Sequence, residues 1–232
     1  MSTASLSNSA AFDLATATVR DVNRALHQAG SGAFEVVHPN GAHALACGLD
    51  APLDVTIRGH VGYYCAGMNK SASITVEGNA GTGLAENIMS GTVRVTGDAS
   101  QSAAASGHGG LVVIEGDASA RCGISMKGVD IVVGGSVGHM SAFMAQAGAL
   151  VVLGDAGDAL GDSIYEARLY VRGTVASLGA DCVEKPMRDE HRAQLRALLD
   201  RAGYGGVPLD GFRRYGSARR LYHFKVDNVG AY

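Results

Sequence analysis

Histidine, cysteine, aspartate and a glycine-rich loop are the residues here that could do chemistry. Eight histidines stand at His27, His38, His43, His60, His108, His139, His191 and His223. No two are spaced i, i+4, and none neighbours a cysteine at ligand spacing, so a zinc site is not expected. Cys47, Cys65, Cys122 and Cys182 include no CxxC pair, which argues against a cluster held by this chain alone and for free thiols. Gly78-Asn-Ala-Gly-Thr-Gly83 has the look of a phosphate loop but lacks the Lys-Ser/Thr of a Walker motif. Asn79, Asp98, Asp117 and Asp155 follow equivalent glycines, so each is expected to cap its own turn by accepting from nearby backbone N–H groups. A calcium site on Asp98 and Asp117 is the competing reading, but the calcium-binding nonapeptide spacing is absent. No Ser-His-Asp or Cys-His pair can be singled out. No catalytic, cofactor-binding or metal residue is therefore assigned.

What must position these residues is a repeat. The chain has 33 glycines among 232 residues, about twice the usual ~7%. Gly59, Gly78, Gly97, Gly116, Gly135, Gly154 and Gly173 recur every 19 residues without a slip. Two residues before each glycine stand Ile57, Val76, Val95, Ile114, Val133, Val152 and Val171, and the position four before is equally aliphatic. Apolar residues two apart make a strand with one buried face, and β-branched residues suit it. The glycine is expected to turn the chain through a positive φ. Small residues fill the rest of each unit, which leaves no room for a helix. The period and pattern predict an all-β parallel β-helix of about seven 19-residue coils with short flanking helices. An eighth, degraded coil is expected with its strand over Phe34 to Asn40.

The expected organisation is an N-terminal arm and short capping helix over 1–33, the β-helix over 34–186, and a C-terminal helix and docking tail over 187–232. Thr18 caps the first helix, with Val19, Val22 and Leu26 on one face. Leu195, Leu198 and Leu199 mark the second, which Gly203 stops; it covers the open end or lies along a flank. Residues 187–232 hold nine Lys+Arg against five Asp+Glu, while the whole chain has net charge −3. Arg213, Arg214, Tyr215, Arg219, Arg220 and Tyr222 form a mixed Arg/aromatic candidate interface, the alternative being a tail packed on its own solenoid. Because the repeat ends near Pro186, removing 204–232 is expected to leave the solenoid folded.

Composition excludes other classes. A hydrophobic content of 47% argues against general disorder. No apolar run approaches the ~18 residues of a membrane span. The Ser/Ala-rich start lacks the basic region and apolar core of a secretory signal, so a cytoplasmic location is expected. Trp is absent and aromatics are 6%, which disfavours a nucleic-acid stacking surface.

The stretches Gly78-Asn-Ala-Gly-Thr-Gly-Leu-Ala-Glu-Asn-Ile-Met-Ser-Gly91, Arg121-Cys-Gly-Ile-Ser-Met-Lys-Gly128 and Gly138-His-Met-Ser-Ala-Phe-Met-Ala-Gln-Ala-Gly148 resemble the GXGXG domain of the large glutamate synthase subunit. Gly161-Asp-Ser-Ile-Tyr-Glu-Ala167, Asp181-Cys-Val-Glu184 and Gly216-Ser-Ala-Arg219 are similar to the free-standing GlxC-like relatives, which look like the GXGXG-type subunit of N-methylglutamate synthase. The resemblance implies a right-handed parallel β-helix. It also implies a place in a hetero-oligomer between a glutamine amidotransferase-like subunit and an FMN-binding subunit, which together turn methylamine and glutamate into N-methylglutamate and ammonia. The flavin and the amidotransferase nucleophile belong to those partners, and the start Met1-Ser2 offers no such cysteine. Formylmethanofuran dehydrogenase has a related β-helix subunit. Scaffold subunit of another oxidoreductase complex, or a self-sufficient enzyme with its site on one coil face, are the alternatives.

Overall fold

The computed structural model describes residues 10–219. Eleven strands form one sheet wound into a solenoid: β1 (Ala10–Asp13), β2 (Gly32–Val37), β3 (Leu53–Arg58), β4 (Ser73–Glu77), β5 (Thr92–Val95), β6 (Leu111–Ile114), β7 (Lys127–Val133), β8 (Ala147–Val152), β9 (Arg168–Val171), β10 (Cys182–Lys185) and β11 (Arg213–Ser217). Two helices flank them, α1 (Val19–Gln28) and α2 (Asp189–Arg201). From β1 to β9 each strand pairs in parallel with the next, and β11 lies antiparallel between β9 and β10. Among the described residues no helix is long and apolar enough to cross a membrane.

The 19-residue register holds strand by strand. Val55 pairs with Ile74, Ile74 with Val93, and Val93 with Val112. A second, one-residue ladder repeats it through Val61, Ala80, Ala99, Ala118, Val137, Ala156 and Val175. The aliphatic columns point inward and are buried throughout. The eighth coil is present: β2 pairs with β1 on one side and β3 on the other, with Val36 opposite Ile57, so this first coil is longer than the rest.

Three expectations change. First, β1 adds a strand to the N-terminal end, so the arm contributes more than a helix. Thr18 does cap α1, accepting from the Asp21 N–H at 3.2 Å, and Val22 and Leu26 are buried in the core. Second, of the seven anchor glycines only Gly59 has a positive φ. Glycine is needed at the others for space: a Cβ on Gly97, Gly116, Gly135 or Gly173 would fall on Oδ1 of Asn79, Asp98, Asp117 or Asp155 in the preceding coil. Third, the described part of the tail is built into the sheet rather than free of it. β11 closes the sheet between β9 and β10, and Tyr215 is buried in the main core.

α2 lies along a flank. Its Leu195, Leu198 and Leu199, with Ala202 just after it, cover Leu111, Val113, Val132, Val151 and Tyr170 on the outer face of β6–β9. Those outward strand positions are apolar in this half, whereas Thr56, Thr75 and Arg94 occupy the same column in the first three 19-residue coils.

Candidate functional site

Each coil turns back through a corner built from left-handed residues. Tyr64, Ala66 and Met68 have φ of 60°, 56° and 56°, and the pattern repeats at Ala44, Ala46 and Gly48 before them, at Gly83, Ala85 and Asn87 and at Ser102, Ala104 and Ser106 after them, and in three later coils. Alternating this conformation points successive N–H groups to opposite neighbours. Ala66 donates back to the Leu45 carbonyl at 2.9 Å, and Met68 donates forward to that of Glu86 at 2.8 Å. Gly83 and Asn87 donate forward to Gln101 and Ala105, and Ala85 back to Cys65. The corner is thus a hydrogen-bonded wall as continuous as the sheet. Non-glycine residues held this way cost about 1–3 kcal/mol each, so large ones call for an explanation.

Arg121, Met140 and Met144 are among them, and two more, Tyr64 and Met68, stand on the second of these corners. Tyr64 and Met68 are 50% and 57% exposed, and neighbouring Tyr63 is 51% exposed. The Tyr63 ring stacks on His43, with centroids 4.6 Å apart, and meets Tyr64 edge-on at 6.4 Å. His43 is held in place because its Nδ1 accepts the Tyr63 N–H at 2.8 Å. Met89, also exposed, follows on the next coil. Beside them Cys47, Tyr64, Gly67, Met68, Glu86 and Asn87 line an open cleft. Contiguous exposed aromatic and methionine side chains mark contact surfaces. Sequence reasoning missed this patch; the signal was bulk at Tyr64 and Met68, whose equivalents in the next two coils are Gly83 and Ser102, and Asn87 and Ser106.

The cleft is a poor place for nucleophilic chemistry. The Cys47 thiol donates to the Tyr64 carbonyl at 2.8 Å, and burial pushes its pKa up. Burial also raises Cys65, and raises Cys122 and Cys182 to about 12. All four thiols are free. Protonated thiols are weak nucleophiles.

The other candidate groups are committed to the fold. Asn79, Asp98, Asp117, Ser136 and Asp155 form a ladder in which each side-chain oxygen accepts the N–H of its equivalent one coil on, at 2.6–3.0 Å. They therefore link coils rather than cap their own turns. His60 starts the ladder, its Nδ1 accepting the Asn79 N–H at 2.9 Å. In the glycine-rich loop the N–H groups of Asn79, Ala80, Gly81 and Gly83 all bond to neighbouring coils, so they form no phosphate cradle. Among the described residues no three His, Cys, Asp or Glu side chains converge as a metal site.

The candidate interface residues lie apart from the Tyr/Met patch in sequence. Arg213 is exposed, donates to the Gly173 carbonyl at 3.1 Å and sits over the Tyr215 ring. Arg214 is half-buried. Tyr215 is buried, and Arg219 pairs with Glu166 at 2.9 Å. Arg220 and Tyr222 lie outside the described residues.

No family model matches the chain, and no solved structure matches it. Among curated proteins, the chain is 60% identical over 225 residues to Protein GlxC of Rhizobium meliloti (strain 1021), covering 95% of this chain and 99% of that one. With this identity running through the repeat and both flanks, the chain belongs to the GlxC family.

Proposed function

We propose that this chain is a non-catalytic structural subunit of a glutamate-synthase-like complex, N-methylglutamate synthase. It bridges an amidotransferase-like subunit and an FMN-binding subunit, and the flavin is held by the latter. The observation that carries this reading is the exposed Tyr63, Tyr64 and Met68 patch on a rigid hydrogen-bonded wall, with Met89 exposed on the next coil. The kinship with Protein GlxC and the resemblance of the repeat to the glutamate synthase domain supply the context. A parallel β-helix suits the task because it presents a long surface at fixed geometry. Free, mostly buried thiols fit a reducing cytoplasm.

The test is co-expression with the two partner subunits and purification of what assembles. Wild-type chain is expected to co-purify with both. Tyr64→Ser with Met68→Ser should weaken assembly at least about tenfold, as loss of anchor side chains does, while the melting temperature does not fall. Unchanged assembly would remove this patch as the contact. The second reading, a self-sufficient enzyme with a site on one coil face, has the open Cys47 cleft to draw on, although the raised pKa of that thiol speaks against it. Turnover by the isolated chain would establish it.

A further inference from the structure

The outer face at the C-terminal end carries a cationic cluster that no role above uses. Lys185 on β10, Arg214 on β11 and Tyr170 on β9 stand directly opposite one another. Their side chains therefore share a face, and Arg168, two residues before Tyr170, shares it too. The Arg168 Nη1 and the Tyr170 hydroxyl both donate to Oε1 of Gln194 on α2, at 2.9 and 2.7 Å. The Arg214 Nε donates to the Pro186 carbonyl at 3.1 Å. Arg188, just before α2, is exposed and near enough to add to the positive field at Arg214.

This end of the molecule contrasts with several other arginine sites, although Arg213 too is held by a neutral carbonyl. Arg94, Arg201 and Arg219 each meet a carboxylate within 3.2 Å, and Arg58 meets two. Among the described residues no carboxylate lies within 4.0 Å of Arg168 or Arg214. Glu190 is the nearest acid, 3.9 Å from Arg188, 3.5 Å from the His191 Nε2 and largely exposed. The acceptors that hold Arg168 and Arg214 are neutral, so the guanidinium groups are oriented without being neutralised. Like charges opposite each other in a sheet destabilise it, and a half-buried cation without a counter-charge is costly. Burial together with Arg168 and Arg188 pushes the Arg214 pKa down, and burial with the same positive field lowers His191.

We propose that Arg168, Arg188 and Arg214 form a binding site for a small oxyanion ligand, a phosphate or a carboxylate. Guanidinium forks match both groups with paired, charge-assisted hydrogen bonds. The Gln194 and Pro186 contacts pre-orient the forks, and a bound anion relieves the repulsion between them.

The experiment uses the whole chain. Thermal melts are recorded in sodium phosphate and in sodium succinate, each against sodium chloride at equal ionic strength. One of the two is expected to raise the melting temperature saturably beyond chloride, as any ligand of the native state does. Which one does so distinguishes phosphate from carboxylate chemistry. Arg168→Gln and Arg188→Gln, both at exposed positions, should each weaken the response at least about tenfold, the loss expected for a charged hydrogen bond. A proton NMR titration supplies an independent readout: the effective anion should raise the pKa of His191. No stabilisation beyond chloride, or the same response in wild type and both variants, would overturn the site.

Discussion

At Gly116 a methyl group would land on Oδ1 of Asp98, the atom that accepts the Asp117 N–H at 2.8 Å. Glycine and aspartate at these positions are therefore one device. Asp98→Ala should cost about 1 kcal/mol, the net value of a hydrogen bond, and Gly116→Ala more. Because they share one contact, the double variant should be less destabilised than the sum of the singles in urea melts. The glycine spacing was legible in the sequence, but its purpose was not. An aspartate after a glycine reads equally well as a cap on its own turn, and only stacking shows that its partner is 19 residues away.

His191 gives a pH dependence at the same scale. Its Nδ1 accepts the Arg188 N–H at 3.1 Å, and its pKa is lowered from the ordinary 6.5 by burial and by Arg214. The folded state thus favours the neutral ring, while the unfolded chain takes up a proton near 6.5. The stability this contributes is complete above pH 6.5 and falls as the pH drops from there toward the lowered folded value. Melting temperatures at pH 7.5 and about 5.5 should differ more for wild type than for His191→Gln, whose side-chain oxygen can keep the Arg188 bond.

Among the elements, the inward strand columns were the most legible. Two aliphatic positions per coil, repeated seven times, leave little choice of face. Val95 and Ile114 are opposite partners on β5 and β6, both fully buried. Val95→Asp should cost more than about 3 kcal/mol, because it places a charge in an apolar core without a partner. Normal thermal stability would contradict the register. The resting place of α2 was also written in the sequence. The outward column changes from Thr56, Thr75 and Arg94 to Val113, Val132, Val151 and Tyr170 where α2 covers it. A change of polarity along a solenoid column thus locates its cover.

β10 and β11 were not legible, because each is short and stands outside the repeat. Their consequence is large. Deleting 204–232 removes β11, exposes the edge of β9 and takes Phe212 and Tyr215 from two buried clusters. The truncated chain should melt lower and aggregate through the bared edge. Full stability by calorimetry would mean that β11 contributes nothing to closure.

Across the whole molecule, polar side chains that look reactive in the sequence serve to hold coils together. The Asn/Asp ladder and the left-handed corner run parallel to the sheet and tie each coil to the next on several sides. Three of the exposed large apolar side chains, Tyr63, Tyr64 and Met68, lie on one corner. A scaffold needs this combination of a stiff frame and a distinct contact patch.

In the function proposed above, the chemistry belongs to the partners and the frame to this chain. Its most direct test is reconstitution from three separately purified subunits, with N-methylglutamate formation and bound flavin measured for each one alone and for the mixture. The account predicts no flavin and no turnover for this chain alone, and one complex containing it that is active only when all three are present. Flavin and activity in the isolated chain, or full activity of the other two subunits without it, would contradict the account.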